Sequence, residues 1–151
     1  MNLKPLLVVF AIAGTIYPLP GFAVLGGDAA SVEADRASMG GSDLGTTAGA
    51  GYTVREIQAA SGTAIKEYLS PAGTVFAITW SGPALPDLRQ LLGAQFDVYT
   101  RAAAAQNAGP GRVNIHDAGL VVQSGGQMRA FFGRAYLPAQ VPQGVVLDDI
   151  R

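Results

Sequence analysis

One histidine, His116, and no cysteine leave this chain of 151 residues a narrow choice of side-chain chemistry. A serine hydrolase needs a hydroxyl, an imidazole and a carboxylate that converge in space. His116 closes the run "RVNIH", whose alternation puts it with Arg112 and Asn114 on the polar side of a strand. Asp117 follows directly and points to the opposite face, badly placed to orient the ring. Ser70 and Ser124 fall in turn-like text and lack the Gly-x-Ser-x-Gly elbow between strand and helix. A surface histidine is the favoured reading, with a small hydrolase using His116 as the alternative.

Glu56 and Glu67 lie on neighbouring predicted strands, where a glycosidase-type carboxylate pair can form. Arg55 and Lys66 beside them favour outward, salt-bridging glutamates instead. One histidine without cysteine does not make a tetrahedral zinc site, and adjacent Asp148 and Asp149 lack a ligand-spaced calcium loop. The glycine runs "SGG" and "GPG" have neither the lysine nor the strand-to-helix setting of a phosphate loop, and read as hairpin and helix-stop glycines. No catalytic residue, metal ligand or cofactor is therefore assigned.

The most informative surface is the run from Arg112 to Leu137, with three arginines against Asp117 alone. In "QMRAFFGRAYL", alternation sets Arg129, Phe131, Gly133, Ala135 and Leu137 on one face. Met128, Ala130, Phe132, Arg134 and Tyr136 take the other. Arg129, Phe131, Phe132 and Arg134 are the candidate partner-binding residues, because arginine and aromatics are enriched in interface hot spots. A helix covers only one sheet face. Either the leader and tail wrap the second, or a partner does.

These residues need a scaffold. "YTVREI" and "AIKEYL" read as short strands joined by "QAASGT", and "SPAG" (Ser70 to Gly73) as a tight turn. In the third strand Phe76, Ile78 and Trp80 share one face, expected to be core. "SGPALP" then forms a rigid seam, with Pro86 in the first helical turn and Asp87 favourable to the helix dipole. Leu88, Leu92, Phe96 and Tyr99 give one helical stripe, continuing into "RAAAAQ" and stopping at "NAGPG". Gly93 inside it implies close contact with the sheet. Three further strands follow, "RVNIH", "GLVVQ" and "QMRAFFGRAYL", with turns at "DAG" and "SGG". The tail "PAQVPQGVVLDDIR" reads as coil over an edge. The expected fold is α+β: a three-strand meander, one helix and three more strands, all antiparallel, with the helix on one face.

Met1 to Ala23 holds a single charge, Lys4, an apolar run from Leu6 to Ile16, and then Pro18 and Pro20. A membrane span needs about 20 apolar residues. A cleaved signal peptide over residues 1–23 is the better reading, which predicts export to periplasm or extracellular space and no transmembrane segment afterwards. Residues 24–51 are poor in large apolar groups and are read as a flexible leader with one short helix around Ala29 to Met39. A single domain then occupies residues 52–151. Cleavage leaves nine Lys plus Arg against eleven Asp plus Glu, which gives no electrostatic case for nucleic acid.

The Lys-Glu-Tyr strand, the Trp-x-Gly-Pro…Pro-Asp-Leu seam and the Gly-Gly-Gln-Met-Arg hairpin, spread over Gly62 to Pro138, resemble a family of small exported proteobacterial proteins catalogued as a domain of unknown function. The resemblance implies export and a single domain, and brings no activity or site residues. The expected function is a non-enzymatic binding or accessory module of the bacterial envelope, whose partner is an envelope protein or component.

Overall fold

The structure, a computed structural model, describes residues 25–106 and 112–151. The expected signal segment and the "NAGPG" helix stop fall on residues outside these. Seven antiparallel strands make one sheet: β1 (Ser42–Gly49), β2 (Tyr52–Gln58), β3 (Ala64–Leu69), β4 (Val75–Gly82), β5 (Val113–His116), β6 (Val121–Gln127) and β7 (Ala130–Tyr136). Their order is β1-β2-β3-β4-β7-β6-β5. Three helices complete the fold: α1 (Ala29–Ser38), α2 (Leu88–Leu92) and α3 (Phe96–Ala105). The protein is mixed α+β, with four strands before the central helices instead of the expected three. After β4 the chain crosses through α2 and α3 to the far edge and meanders back, so β7 ends beside β4. Strand β4 is thereby central, and Val75 to Trp80 are all buried.

The seam after β4 is architectural. Thr63 Oγ1 donates to the Ala84 carbonyl at 2.6 Å and accepts from the Ala84 amide at 3.3 Å, tying the seam to the β2–β3 turn. A Cβ on Gly82 would stand 2.5 Å from Thr63 Cα, so only glycine admits this approach. Asp87 caps α2, accepting from the amides of Arg89 (2.9 Å) and Gln90 (3.2 Å). Pro86 thus precedes the cap and does not sit in the first helical turn. The expected single helix is two helices, because Gly93 adopts φ 45°, ψ −117°, which ends α2. One 3-10 turn then leads into α3.

Three more expectations are corrected. Residues 24–51, read as a flexible leader with one short helix around Ala29 to Met39, carry that helix as α1 but also form strand β1, so the fold begins ahead of the expected boundary at residue 52. Val32 and Leu25 are fully buried in the helix-side core, while β1 is exposed along its length and held by backbone pairing to β2. Composition registers side-chain burial, and β1 buries almost none. The second correction concerns β4. A register shift at Tyr68/Leu69 leaves Phe76 without a partner on β3, a β-bulge that turns it away from the face of Ile78 and Trp80. The third concerns "SGG", which lies inside β6. The β6–β7 turn is Met128-Arg129, closed by the pair Gln127↔Ala130, with Arg129 at φ 65°.

Both faces of the sheet are covered, each by a different part of the chain. On one side Ile57, Ile65, Ile78, Trp80 and Val122 pack against Leu88, Leu91 and Leu92 of α2 and Val32 of α1. On the other, Tyr68, Phe76, Ala77, Val121 and Tyr136 pack under the C-terminal tail, whose Ile150 is 0% exposed. The tail covers this face; it does not merely run over an edge. Tyr68 anchors it, its hydroxyl donating to the Arg151 carbonyl at 3.0 Å and accepting from the Arg151 amide at 3.1 Å.

Candidate functional site

The tail covers only part of its face. Along β7 the alternation sends Tyr136, Arg134 and Phe132 to the same side: Tyr136 is buried under the tail, Arg134 half-buried at its margin, and Phe132 61% exposed beyond it. That gradient opens a groove of about 720 Å³ over β4, β7, β6 and β5. Its floor follows two register rows, Thr79–Arg134–Gln123–Asn114 and Ser81–Phe132–Gly125. Asp148, Ile150 and Arg151 of the tail form one wall, with Lys66 at the end. Gly125 of "SGG" shapes this floor, whereas Gly126 pairs with Phe131 in the next register row. A Cβ on Gly125 would lie 3.1 Å from the Phe132 ring, and one on Gly126 only 2.5 Å from the Ala130 carbonyl oxygen. Glycine lets the Phe132 ring lie across β6.

Arg134 is held in place by Nε donation to Gln123 Oε1 at 2.7 Å and Nη1 donation to the Leu147 carbonyl at 2.8 Å. Gln123 Nε2 in turn donates to Asn114 Oδ1 at 3.3 Å, extending a polar ladder across three strands. A guanidinium has five N–H groups, so three on Arg134 remain for another acceptor. Lys66 Nζ donates to the Arg151 carbonyl at 3.3 Å. Four cations (Lys66, Arg112, Arg134, Arg151) line the groove against one carboxylate, Asp148. A set of ion pairs lies elsewhere, at the corner of α1, β1 and β2: Arg36 with Glu33, and Arg55 with Glu33 and Asp43 at 3.2 Å each. There the Glu33 carboxyl is held below its usual range, chiefly by the hydrogen bond from Arg36. Asp43 is held low chiefly by the Gly45 amide and next by Arg55.

Of the four residues singled out in the sequence, the groove brings together Phe132 and Arg134. Phe131 lies half-buried on the opposite, helix-side face, and Arg129 sits exposed in the β6–β7 turn. Next to Phe132, Met128 is 90% exposed and continues the apolar surface to the hairpin tip. Lys66, Arg112, Gln123 and Ile150 were not singled out. They come from four elements, and the only signal among them was Arg112 as one of three arginines in the run from Arg112 to Leu137.

Among the described residues, no hydrogen bond joins His116 to Ser70, Ser124 or Asp117. Ser70 Oγ accepts from the Thr74 amide at 3.3 Å in the β3–β4 turn. Ser124 is in β6, paired with Gly133 and Val113, and not in a turn. Asp117 accepts from the Gly119 amide at 3.3 Å within its own turn, and His116 is exposed on the edge strand β5. Strand β3, which leads into Ser70, lies four strand steps from β5, roughly 19 Å. The carboxylate pair dissolves too. Glu56 pairs with Lys66 and Glu67 with Arg55, so the two glutamates take opposite faces. Glu67 is 0% exposed and opposite Arg55, not outward as its neighbours implied.

A family model described as "Protein of unknown function (DUF2844)" matches residues 21–150. The chain belongs to the DUF2844 family. The match starts ahead of α1 and ends within the tail, so the DUF2844 unit takes in α1, β1 and the strap that walls the groove. No curated protein and no solved structure matches the chain. Among the described residues of this DUF2844 protein, no helix is long and apolar enough to cross a membrane.

Proposed function

We propose that this DUF2844 chain is an exported, non-enzymatic binding module of the bacterial envelope, with the groove beside the tail as its contact surface. One observation carries the reading. Phe132 stands 61% exposed over a floor that also presents Arg134, in a groove with four cations and one carboxylate. Large apolar groups left open next to uncompensated arginines are costly to keep unless something is bound there. The non-enzymatic reading is also supported by local hydrogen bonding: Ser70 Oγ and the Asp117 carboxylate each accept from an amide of their own turn. Export rests on the residues of Met1 to Ala23.

The test is site-specific photo-crosslinking in intact cells from position 132, with position 101 on α3 as control. A defined adduct at 132 that Arg112→Glu removes is the expected result. Equal labelling from both positions, or a hydrolytic activity of the mature protein that His116→Ala abolishes, overturns the reading. The exported form should begin near Val24 by N-terminal sequencing, and a product retaining Met1 contradicts export.

A further inference from the structure

We infer that the groove takes a single-chain anionic amphiphile, a long-chain carboxylate whose head meets Arg134 and Arg112 and whose chain lies against Phe132. The inference rests on the binding reading above and names its ligand class. Charge comes first. The lining side chains carry an excess of three positive charges, four cations against Asp148, in a chain whose formal net charge is −1. The ion pairs at the α1/β1/β2 corner involve none of them.

Geometry comes second. Gln123 and the Leu147 carbonyl fix the plane of the Arg134 guanidinium, and the remaining N–H groups form the fork that matches a carboxylate in a bidentate contact. Because Arg134 is half-buried, this contact is screened less than one on an open surface. Shape and polarity come third. Beside the arginine, the Phe132 ring, 61% exposed, spreads over Gly125 as an apolar surface. A volume of about 720 Å³ falls in the range of small-molecule sites. A wholly polar anion would leave the Phe132 surface wet, and a neutral apolar chain would leave the arginines without an acceptor. An amphiphile with one anionic end satisfies both.

The experiment uses the mature chain and a dansyl-labelled fatty acid, held below its micellar concentration, with fluorescence read on titration. Unlabelled palmitate should displace the probe. Hexadecanol should need a concentration about tenfold or more higher, the factor for one lost charged contact, and hexadecyltrimethylammonium should not compete. Arg112→Glu, at an exposed position, should weaken probe binding about tenfold with an unchanged melting temperature; Arg101→Glu on the helix side should leave binding as it was. Equal displacement by palmitate and hexadecanol overturns the inference, as does saturable binding indifferent to Arg112→Glu. Should no amphiphile bind while crosslinking from position 132 still captures a defined protein, the ligand class is wrong and the binding reading stands. If both fail, both fall.

Discussion

Two clusters of arginines sit at opposite ends of this sheet, and they are built in opposite ways. At the α1/β1/β2 corner, Arg36 and Arg55 are answered by Glu33 and Asp43. That corner has little apolar burial to hold β1, and the ion pairs join it to α1 and β2. At the groove, Lys66, Arg112, Arg134 and Arg151 share only Asp148, although the tail behind them is firmly packed. Charge closed upon itself belongs to the scaffold. Charge left open over an apolar floor points outward, to something the chain does not contain.

Breaking the shared core should damage both regions at once. Trp80, 2% exposed, packs across Gly133 beneath the groove row and against the helix-side core. Trp80→Ala should cost about 3–5 kcal/mol in urea unfolding. Ile150→Ala should cost about 2–5 kcal/mol, being fully buried, and should loosen the tail that walls the groove. Gly133→Ala places a Cβ 2.3 Å from the Trp80 ring and should cost about 1–3 kcal/mol, as overpacking does.

The comparison is sharpest in paired charge reversals. Arg112→Glu should change stability by less than about 0.5 kcal/mol, as an exposed residue outside any ion pair. Arg55→Glu should lower the melting temperature further, because it places a new carboxylate beside Glu33 and Asp43 and across from buried Glu67. Equal melting temperatures for the two variants would erase the distinction between the clusters.

The smallest effect is on pH. Glu33 and Asp43 have folded-state pKa values below their unfolded ones, so their stabilisation is present above the ordinary carboxylate range, near pH 4. It is lost as pH falls through the lowered values. Both carboxylates are solvent-exposed, so the loss should be slight and should shrink further in high salt. In Arg55→Ala, the part of this acid-side slope that depends on Arg55 should disappear, while Arg112→Ala should retain it.

Much of the fold was legible wherever a local rule decides the outcome. The alternation of β7 correctly separates Phe132, Arg134 and Tyr136 from Phe131, Gly133 and Ala135, because neighbouring side chains on a strand must point to opposite faces. The Ser70–Gly73 turn, with Gly73 at φ 82°, and the helix start around Asp87, though not its capping role, follow equally from backbone chemistry within a few residues. Trp80 was legible as core for the same reason.

What tertiary structure alone decided is which surfaces meet. Phe76 leaves the face of Ile78 and Trp80 because the register against β3 shifts there, and register belongs to two strands. Strand β1 forms because β2 offers it an edge, a backbone interaction to which side-chain composition is blind. The tail settles on Tyr68, Phe76 and Tyr136 because those side chains are gathered there from separate strands, and its end point sets where the groove begins. Sequence determined the chemistry each segment carries, since propensity and periodicity are local. Its use is set by long-range contacts, whose partners lie tens of residues away along the chain.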